Sequence, residues 1–325
     1  MAMTKKLLIC FHDKCFDGAS SAAFFTRLYR ARIDAQAEIS YRGLVHRAGQ
    51  LFDENLFIGD ENAIVDFKYS SSDRLTWWFD HHQSAFLSEA DAEHFRRDQS
   101  GKKFYDVGFR SCTKLLAHVA ATHFDFLPHD LDELVYWADL IDGAQFPDAE
   151  SAVGMKDPAT QLMLVIEGTQ DPDFVPRLIP ELASRPLAEI AAGPQIRKEI
   201  ERLRGKHLEW IDIIRSRGEL KNGVLFFDVS DRKREGFNKF IPYYLFPGAV
   251  YTVSISDTPQ RIKIAVGSSP WRSVTNPVSL ATICERYGGG GHAKVAAISL
   301  PPGELEKARR VAREIVEELR SGFSS

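Results

Sequence analysis

The chain has 325 residues, enough for two domains of ordinary size, with a hydrophobic content of 44% that is ordinary for a globular protein. Its 41 basic and 45 acidic residues leave a formal net charge of -4, which argues against broad, sequence-blind binding to duplex nucleic acid, since that rests on neutralising phosphates. The four cysteines, Cys10, Cys15, Cys112 and Cys284, form no CxxC pair and no disulfide framework, a usage that fits a reducing cytoplasm.

Residues 6–11 read as a first strand. Their apolar run, Leu7 to Phe11, is too short for a signal-peptide core or a membrane span. Residues 12–17 read as a turn presenting His12 and Asp17, and residues 18–32, rich in Ala, Phe and Leu at helical spacing, as a helix packed on a sheet. Backbone N–H groups at such a helix start favour anions, with Ser20 and Ser21 as further donors. A helix cap is the alternative for Asp17. Residues 37–41 and 63–67 are the next strands, the latter ending in Asp66-Phe67. Residues 75–79, short, aromatic-rich and bracketed by polar residues, are a fourth, followed directly by Asp80-His81-His82. Residues 110–123 and 131–141 read as helices, and the second leads into Asp139-Leu140-Ile141-Asp142-Gly143, two acids at i and i+3 on one helix face. Short strands alternating with helices predict an α/β fold with a doubly wound parallel sheet.

Residues 187–217 are charge-rich and helical, a connector between domains spanning 1–186 and 218–325. In the second domain, smaller and also α/β, residues 223–229, 249–256 and 261–266 read as strands and 306–320 as an amphipathic closing helix. Two of its segments bear on ligand binding. Gly288, Gly289, Gly290 and Gly291 precede His292 and would let backbone approach a ligand closely. Ser268, Trp271 and Arg272 offer a hydroxyl, an aromatic face and a guanidinium, a combination suited to a phosphate with an attached base.

His12, Asp17, Asp66, His81 and Asp142 all fall at strand or helix ends, where ligands of open α/β sheets bind. A mixed carboxylate–imidazole set of this size fits two hard or borderline divalent ions bridged by one carboxylate. Two such ions can activate water and hold a phosphoryl group.

The ordered set resembles the DHH phosphoesterase superfamily with its DHH-associated C-terminal (DHHA1) domain, over nearly the whole chain. The resemblance implies a Mn²⁺-dependent phosphoesterase, exopolyphosphatase-like or oligoribonuclease-like, with its site in the cleft between two domains. Mg²⁺, Zn²⁺ and Fe²⁺ are the other candidate ions. It implies that His12 and Asp66 bind one metal. Asp17, Asp66, His81 and Asp142 would bind the other, with Asp66 bridging; Asp139 is the alternative to Asp142. Asp80 and His82 take the catalytic roles, Asp80 supporting the metal site and His82 facing the substrate phosphate. Gly289, Gly290, Gly291 and His292 would grip the substrate, with Arg272 and Ser268 beside them. One departure stands out. Many members carry Asp where this chain has Cys15, although a subset has a similar Cys-x-Asp-Gly sequence; Asp13 is the acid nearest to a replacement. Thiolate is a softer ligand, better suited to Zn²⁺ or Fe²⁺ than to Mn²⁺.

The expected activity is hydrolysis of a phosphoester in a short single-stranded oligonucleotide or a small phosphorylated molecule. The rivals are hydrolysis of a phosphoanhydride such as polyphosphate and, from another class, a catalytically silent nucleotide sensor. No membrane partner is expected, and a homodimer is left open.

Overall fold

The computed structural model describes residues 4–45, 52–53, 55–233, 236–272 and 277–322. It divides into two compact units, Met1–Gln145 with Lys156–Glu201, and Phe146–Met155 with Arg202–Ser325.

The first unit is built on five parallel strands, β1 (Lys6–His12), β2 (Glu38–Leu44), β3 (Glu61–Val65), β4 (Trp77–Asp80) and β5 (Lys103–Tyr105), in the order β2-β1-β3-β4-β5. The central strands are continuous apolar runs because both faces are covered: Ala63, Ile64, Val65, Trp78 and Phe79 are fully buried. β2 lies at one edge and alternates exposed with half-buried positions. Helix α1 (Phe16–Arg32) is buried almost throughout, since its small residues Ala19, Ala22 and Ala23 allow close packing on β1 and on the helices beside it. These helices include α3 (Cys112–Phe124) and α4 (Asp132–Asp142); the short α2 (Glu89–Arg97) comes before them in the chain. Ser88 and Ser111 cap α2 and α3 by accepting from Asp91 N and Lys114 N.

Beyond these lie α5 (Ala149–Val153), which belongs to the second unit, then α6 (Pro158–Gly168), α7 (Phe174–Leu182), α8 (Leu187–Ala191) and α9 (Pro194–Arg217). The helix expected over 187–217 is thus two helices. Gly193 and Pro194 break it, because proline has no N–H to give an upstream carbonyl and is at home only in a first turn.

The second unit carries six strands: β6 (Glu219–Lys221), β7 (Val224–Asp228), β8 (Tyr251–Asp257), β9 (Ile262–Ser268), β10 (Gly290–His292) and β11 (Val295–Leu300). Their order is β10-β11-β9-β8-β7-β6, antiparallel except for the pair β7–β8. The unit's other helices are α10 (Ile241–Leu245), α11 (Leu280–Glu285) and α12 (Leu305–Ser321). Ala308, Ala312, Ile315 and Leu319 of α12, at helical spacing, bury against Val253, Ile255, Ile264 and Ile298 of the sheet.

In the first sheet, strand order reverses at β1, between β2 and β3. The crevice outside the carboxyl ends of β1 and β3 is the ligand position that such topology creates.

Candidate metal centre

Register builds the centre. Phe11 of β1 pairs with Val65 of β3, and Val65 pairs with Phe79 of β4. The residues that follow, His12, Asp66 and Asp80, therefore reach the sheet rim side by side. Asp66 leaves β3 in the left-handed region at φ 57°, a conformation that Asp and Asn tolerate better than most residues. Its amide donates to Phe79 O at 2.9 Å, which pins the bend.

Around Asp66 stand three groups whose ligand atoms lie within 4.8 Å of one another: His12, Cys15 and Asp66; Asp66, His81 and His82; and Asp17, His81 and Asp142. Asp66 Oδ2 is 3.4 Å from His12 Nδ1, and its Oδ1 is 3.4 Å from His81 Nε2 and 3.9 Å from His82 Nδ1. His81 Nε2 also lies 3.4 Å from Asp142 Oδ2 and 3.8 Å from Asp17 Oδ2. Asp66 is 1% exposed, and neither of its carboxylate oxygens has a hydrogen-bond partner among the described residues; His81 Nε2 has none either. Buried ionic oxygens without donors are costly, and oxygen and nitrogen atoms spaced in this way suit a divalent cation.

The supporting contacts fit the same use. His81 Nδ1 is 3.2 Å from Phe109 O. A carbonyl only accepts, so Nδ1 carries a hydrogen and Nε2 is the atom that faces the cluster, the orientation a metal ligand requires. Asp80 is fully buried and faces the turn: its Oδ1 accepts from His81 N at 2.9 Å and from His82 Nδ1 at 2.7 Å. Its Oδ2, like the oxygens of Asp66, is buried without a hydrogen-bond partner among the described residues, and Asp80 belongs to none of the three groups. Asp17 lies inside the first turn of α1, not in the turn before it, and caps a different helix. Its carboxylate accepts from Cys112 N at 2.7 Å, Thr113 N at 3.0 Å and Thr113 Oγ1 at 2.6 Å, tying α1 to the start of α3. Gly18 allows α1 to start this close to β1, because a Cβ there would sit 2.2 Å from His12 O.

Electrostatics show how far the acids depend on positive charge. Burial, then the charges of Asp66 and Asp142, push the Asp17 carboxyl well above its usual range. Burial also opposes ionisation of Asp66, but the contacts of His12 and His81 outweigh it and hold that carboxyl low. For His81, burial disfavours the charged ring, yet Asp66, Asp17 and Asp142 raise it to about 10. His82 is raised as well, its bond to Asp80 overcoming burial. Without a metal, then, an imidazolium supplies the charge the carboxylates require.

The remaining candidates divide. Cys15 is brought to His12 and Asp66. Asp13 is not: its carboxylate accepts from Lys14 N and lies against Gly43 of β2. Asp139 meets Ser111 Oγ at 3.5 Å and belongs to none of the three groups. Ser20 and Ser21, expected as phosphate donors, are fully buried within α1, and Ser21 Oγ bonds Thr113 Oγ1. In the second unit, Gly290, Gly291 and His292 form β10 in place of an open loop, with His292 exposed. A Cβ on Gly289 or Gly291 would strike Ala297 O or Val295 O, at 2.4 and 2.5 Å; one on Gly290 would meet nothing within 4 Å. Ser268 Oγ donates to Lys294 O and Arg272 Nε to Pro247 O. Trp271, expected to stack on a base, packs against Phe240 and Tyr243 and donates its indole N–H to Phe146 O at 2.7 Å. Sequence reasoning missed Phe109 O and the Cys112 and Thr113 amides, all reached across long loops; only Ser111, a cap residue before an apolar periodic run, signalled that a helix start lay there.

Neither a protein-family model nor a curated protein matches the chain. Solved structures do. A pGpG-specific phosphodiesterase, PggH, from Vibrio cholerae superposes with a TM-score of 0.71 at 18% identity, covering 98% of this chain and 99% of that one. The DHH domain of a member of the s1p family of ribosomal proteins gives 0.56 at 12% identity, covering 96% and 86%. RecJ from Thermus thermophilus, in complex with Mn²⁺, gives 0.53 at 11% identity, covering 97% of this chain and 52% of that one. The chain shares the fold of these three structures, one of them described as a DHH domain.

Proposed function

We propose that this protein is a metal-dependent phosphohydrolase acting on short oligonucleotides or small nucleotides. The observation that carries the reading is Asp66, a buried carboxylate whose two oxygens face different imidazoles and are shared by two groups able to hold a cation. His12, Asp66 and Cys15 would hold one ion, and Asp17, Asp66, His81 and Asp142 the other, for which Mn²⁺ is favoured by its presence in the RecJ structure of the same fold. Such ions supply activated water and neutralise phosphoryl charge.

The chain's own residues do the rest. His81 is oriented by Phe109 O and keeps Nε2 turned inward. His82 is the most open imidazole of the centre, with a side chain 36% exposed against 9% for His81, so it is the one a substrate meets. Asp80 holds its Nδ1–H and favours the charged ring, leaving Nε2–H to donate to a phosphoryl oxygen as negative charge develops there. We assign substrate binding to Gly289, Gly290, Gly291 and His292 as well, because Gly290 leaves backbone bare where the fold does not require it. The pGpG specificity printed for the Vibrio protein makes linear dinucleotides the first substrates to try. Among the described residues no helix is long and apolar enough to cross a membrane, and the four free thiols fit the cytoplasm.

The test is a Mn²⁺-dependent hydrolysis screen over linear and cyclic dinucleotides, short RNA, nucleoside bisphosphates and polyphosphate, with His81→Ala as control. Turnover of a nucleotide substrate by the wild type and its loss in the variant are expected. Binding without turnover across the panel would leave the silent sensor in its place.

A further inference from the structure

The two halves of the centre differ in kind. Asp17, His81 and Asp142 offer one imidazole and two carboxylates, whereas His12, Cys15 and Asp66 offer an imidazole, a sulfur and a carboxylate. Ligand softness decides which ion such sets prefer: carboxylates suit Mg²⁺ and Mn²⁺, and thiolate suits Zn²⁺ and other borderline ions.

Cys15 is held where it can ligate. It is the extended residue directly before α1, at φ −125° and ψ 131°. The close seat of Gly18 on His12 O fixes the turn that carries both His12 and Cys15. Opposite them is Asp66, 1% exposed and without a hydrogen-bond donor for either oxygen among the described residues. Asp13, the acid the turn offers in place of Cys15, is engaged with Lys14 N and packed at Gly43.

We infer that His12, Cys15 and Asp66 form a thiophilic half-site that takes Zn²⁺, Fe²⁺ or Co²⁺ in preference to Mn²⁺ or Mg²⁺, while the half containing Asp17, His81 and Asp142 takes the harder ion. Two unlike cations then share Asp66, and the metal requirement of the protein is mixed. This rests on the reading of the cluster as a metal centre.

The experiment uses the full chain, stripped of metal and titrated with Co²⁺. A thiolate-to-cobalt charge-transfer absorption in the near ultraviolet is expected in the wild type and in Asp142→Asn, and is expected to be lost in both Cys15→Ser and Cys15→Asp. Metal analysis after equilibration with equal Zn²⁺ and Mn²⁺ should show both ions bound to the wild type. In Cys15→Asp the Zn²⁺ to Mn²⁺ ratio should fall roughly tenfold or more, as the softer ligand is replaced. Co²⁺ binding without the absorption, or an unchanged metal ratio in Cys15→Asp, overturns the inference and leaves the metal centre standing. No binding of any of these ions overturns both.

Discussion

His82 Nδ1 lies 2.7 Å from Asp80 Oδ1, and the same carboxylate oxygen takes the His81 amide at 2.9 Å. One buried acid thus sets the tautomer of one histidine and the backbone direction of the other. Asp80→Asn keeps an acceptor of the same shape but removes the charge. We expect it to fold normally and to lose activity by about 10–100-fold, the usual loss when the partner of a functional histidine is weakened. The His82 pKa should fall in the same variant, which a nitrogen NMR titration of the ring would follow.

The left-handed backbone at Asp66 separates its structural demand from its chemical one. Asn adopts this conformation readily, while a β-branched residue there costs about 1–3 kcal/mol. Asp66→Asn should therefore unfold near the wild-type temperature yet fail to take up metal. Asp66→Val should lose stability as well. Thermal unfolding with and without added Mn²⁺ distinguishes the two, since only protein that binds the ion is stabilised by it.

Adjacent glycines in β10 make a matched pair of controls. Gly291→Ala places a methyl 2.5 Å from Val295 O at φ 147° and should disrupt the β10–β11 hairpin. Gly290→Ala meets open space and should leave folding intact. If that bare backbone receives substrate, Gly290→Ala raises KM at least tenfold without lowering the unfolding temperature. An unchanged KM removes the segment from the binding site.

Much of the centre is legible in the sequence because its residues follow strands whose apolar runs are unmistakable. Leu7 to Phe11 and Trp77 to Phe79 announce β1 and β4, and a parallel register then aligns whatever comes next. What stays hidden depends on contacts distant in sequence. Asp17 reads as a cap for its own helix, and it caps α3, 95 residues away. β5 is three residues long, and α2 is amphipathic but buries none of its residues, so neither carries a periodic core signal. The glycine run reads as a loop by composition, yet pairing with β11 makes a strand of it. Trp271 shows the same limit: an indole suited to stacking on a base is also suited to filling an aromatic corner.

That corner is testable. Trp271→Ala removes the packing on Phe240 and Tyr243 together with the bond to Phe146 O. The side chain is only partly buried, so the loss should be about 2 kcal/mol, below the roughly 3–5 kcal/mol of a fully buried large aromatic. Denaturant unfolding measures it. Stability unchanged together with a selective loss of nucleotide turnover would restore the stacking role.

A pH effect is expected within the second unit. His207 of α9 is 5% exposed and donates from Nε2 to Val153 O at 3.0 Å, both within the second unit. Burial lowers its pKa, the bond to Val153 O raises it somewhat, and the charge of Arg204 lowers it further. The folded protein thus prefers the neutral ring. Its contribution is complete above the unfolded value of about 6.5 and is lost as pH falls through the lower folded value. The unfolding temperature should drop on acidification over that window, and His207→Gln, which keeps a donor without the titration, should flatten the drop.

Asp17 joins two helices through the same carboxylate that borders the cluster. The spacing between α1 and α3 is therefore a dimension of the ligand cage as well as of the hydrophobic core. Altering the buried Ser21–Thr113 hydrogen bond, which touches no proposed ligand except through Asp17, would shift that spacing and with it the fit of the proposed ligands to a cation. On the proposed reading of the cluster, adaptation to a new metal supply would have a route through interior packing, with every proposed ligand left in place.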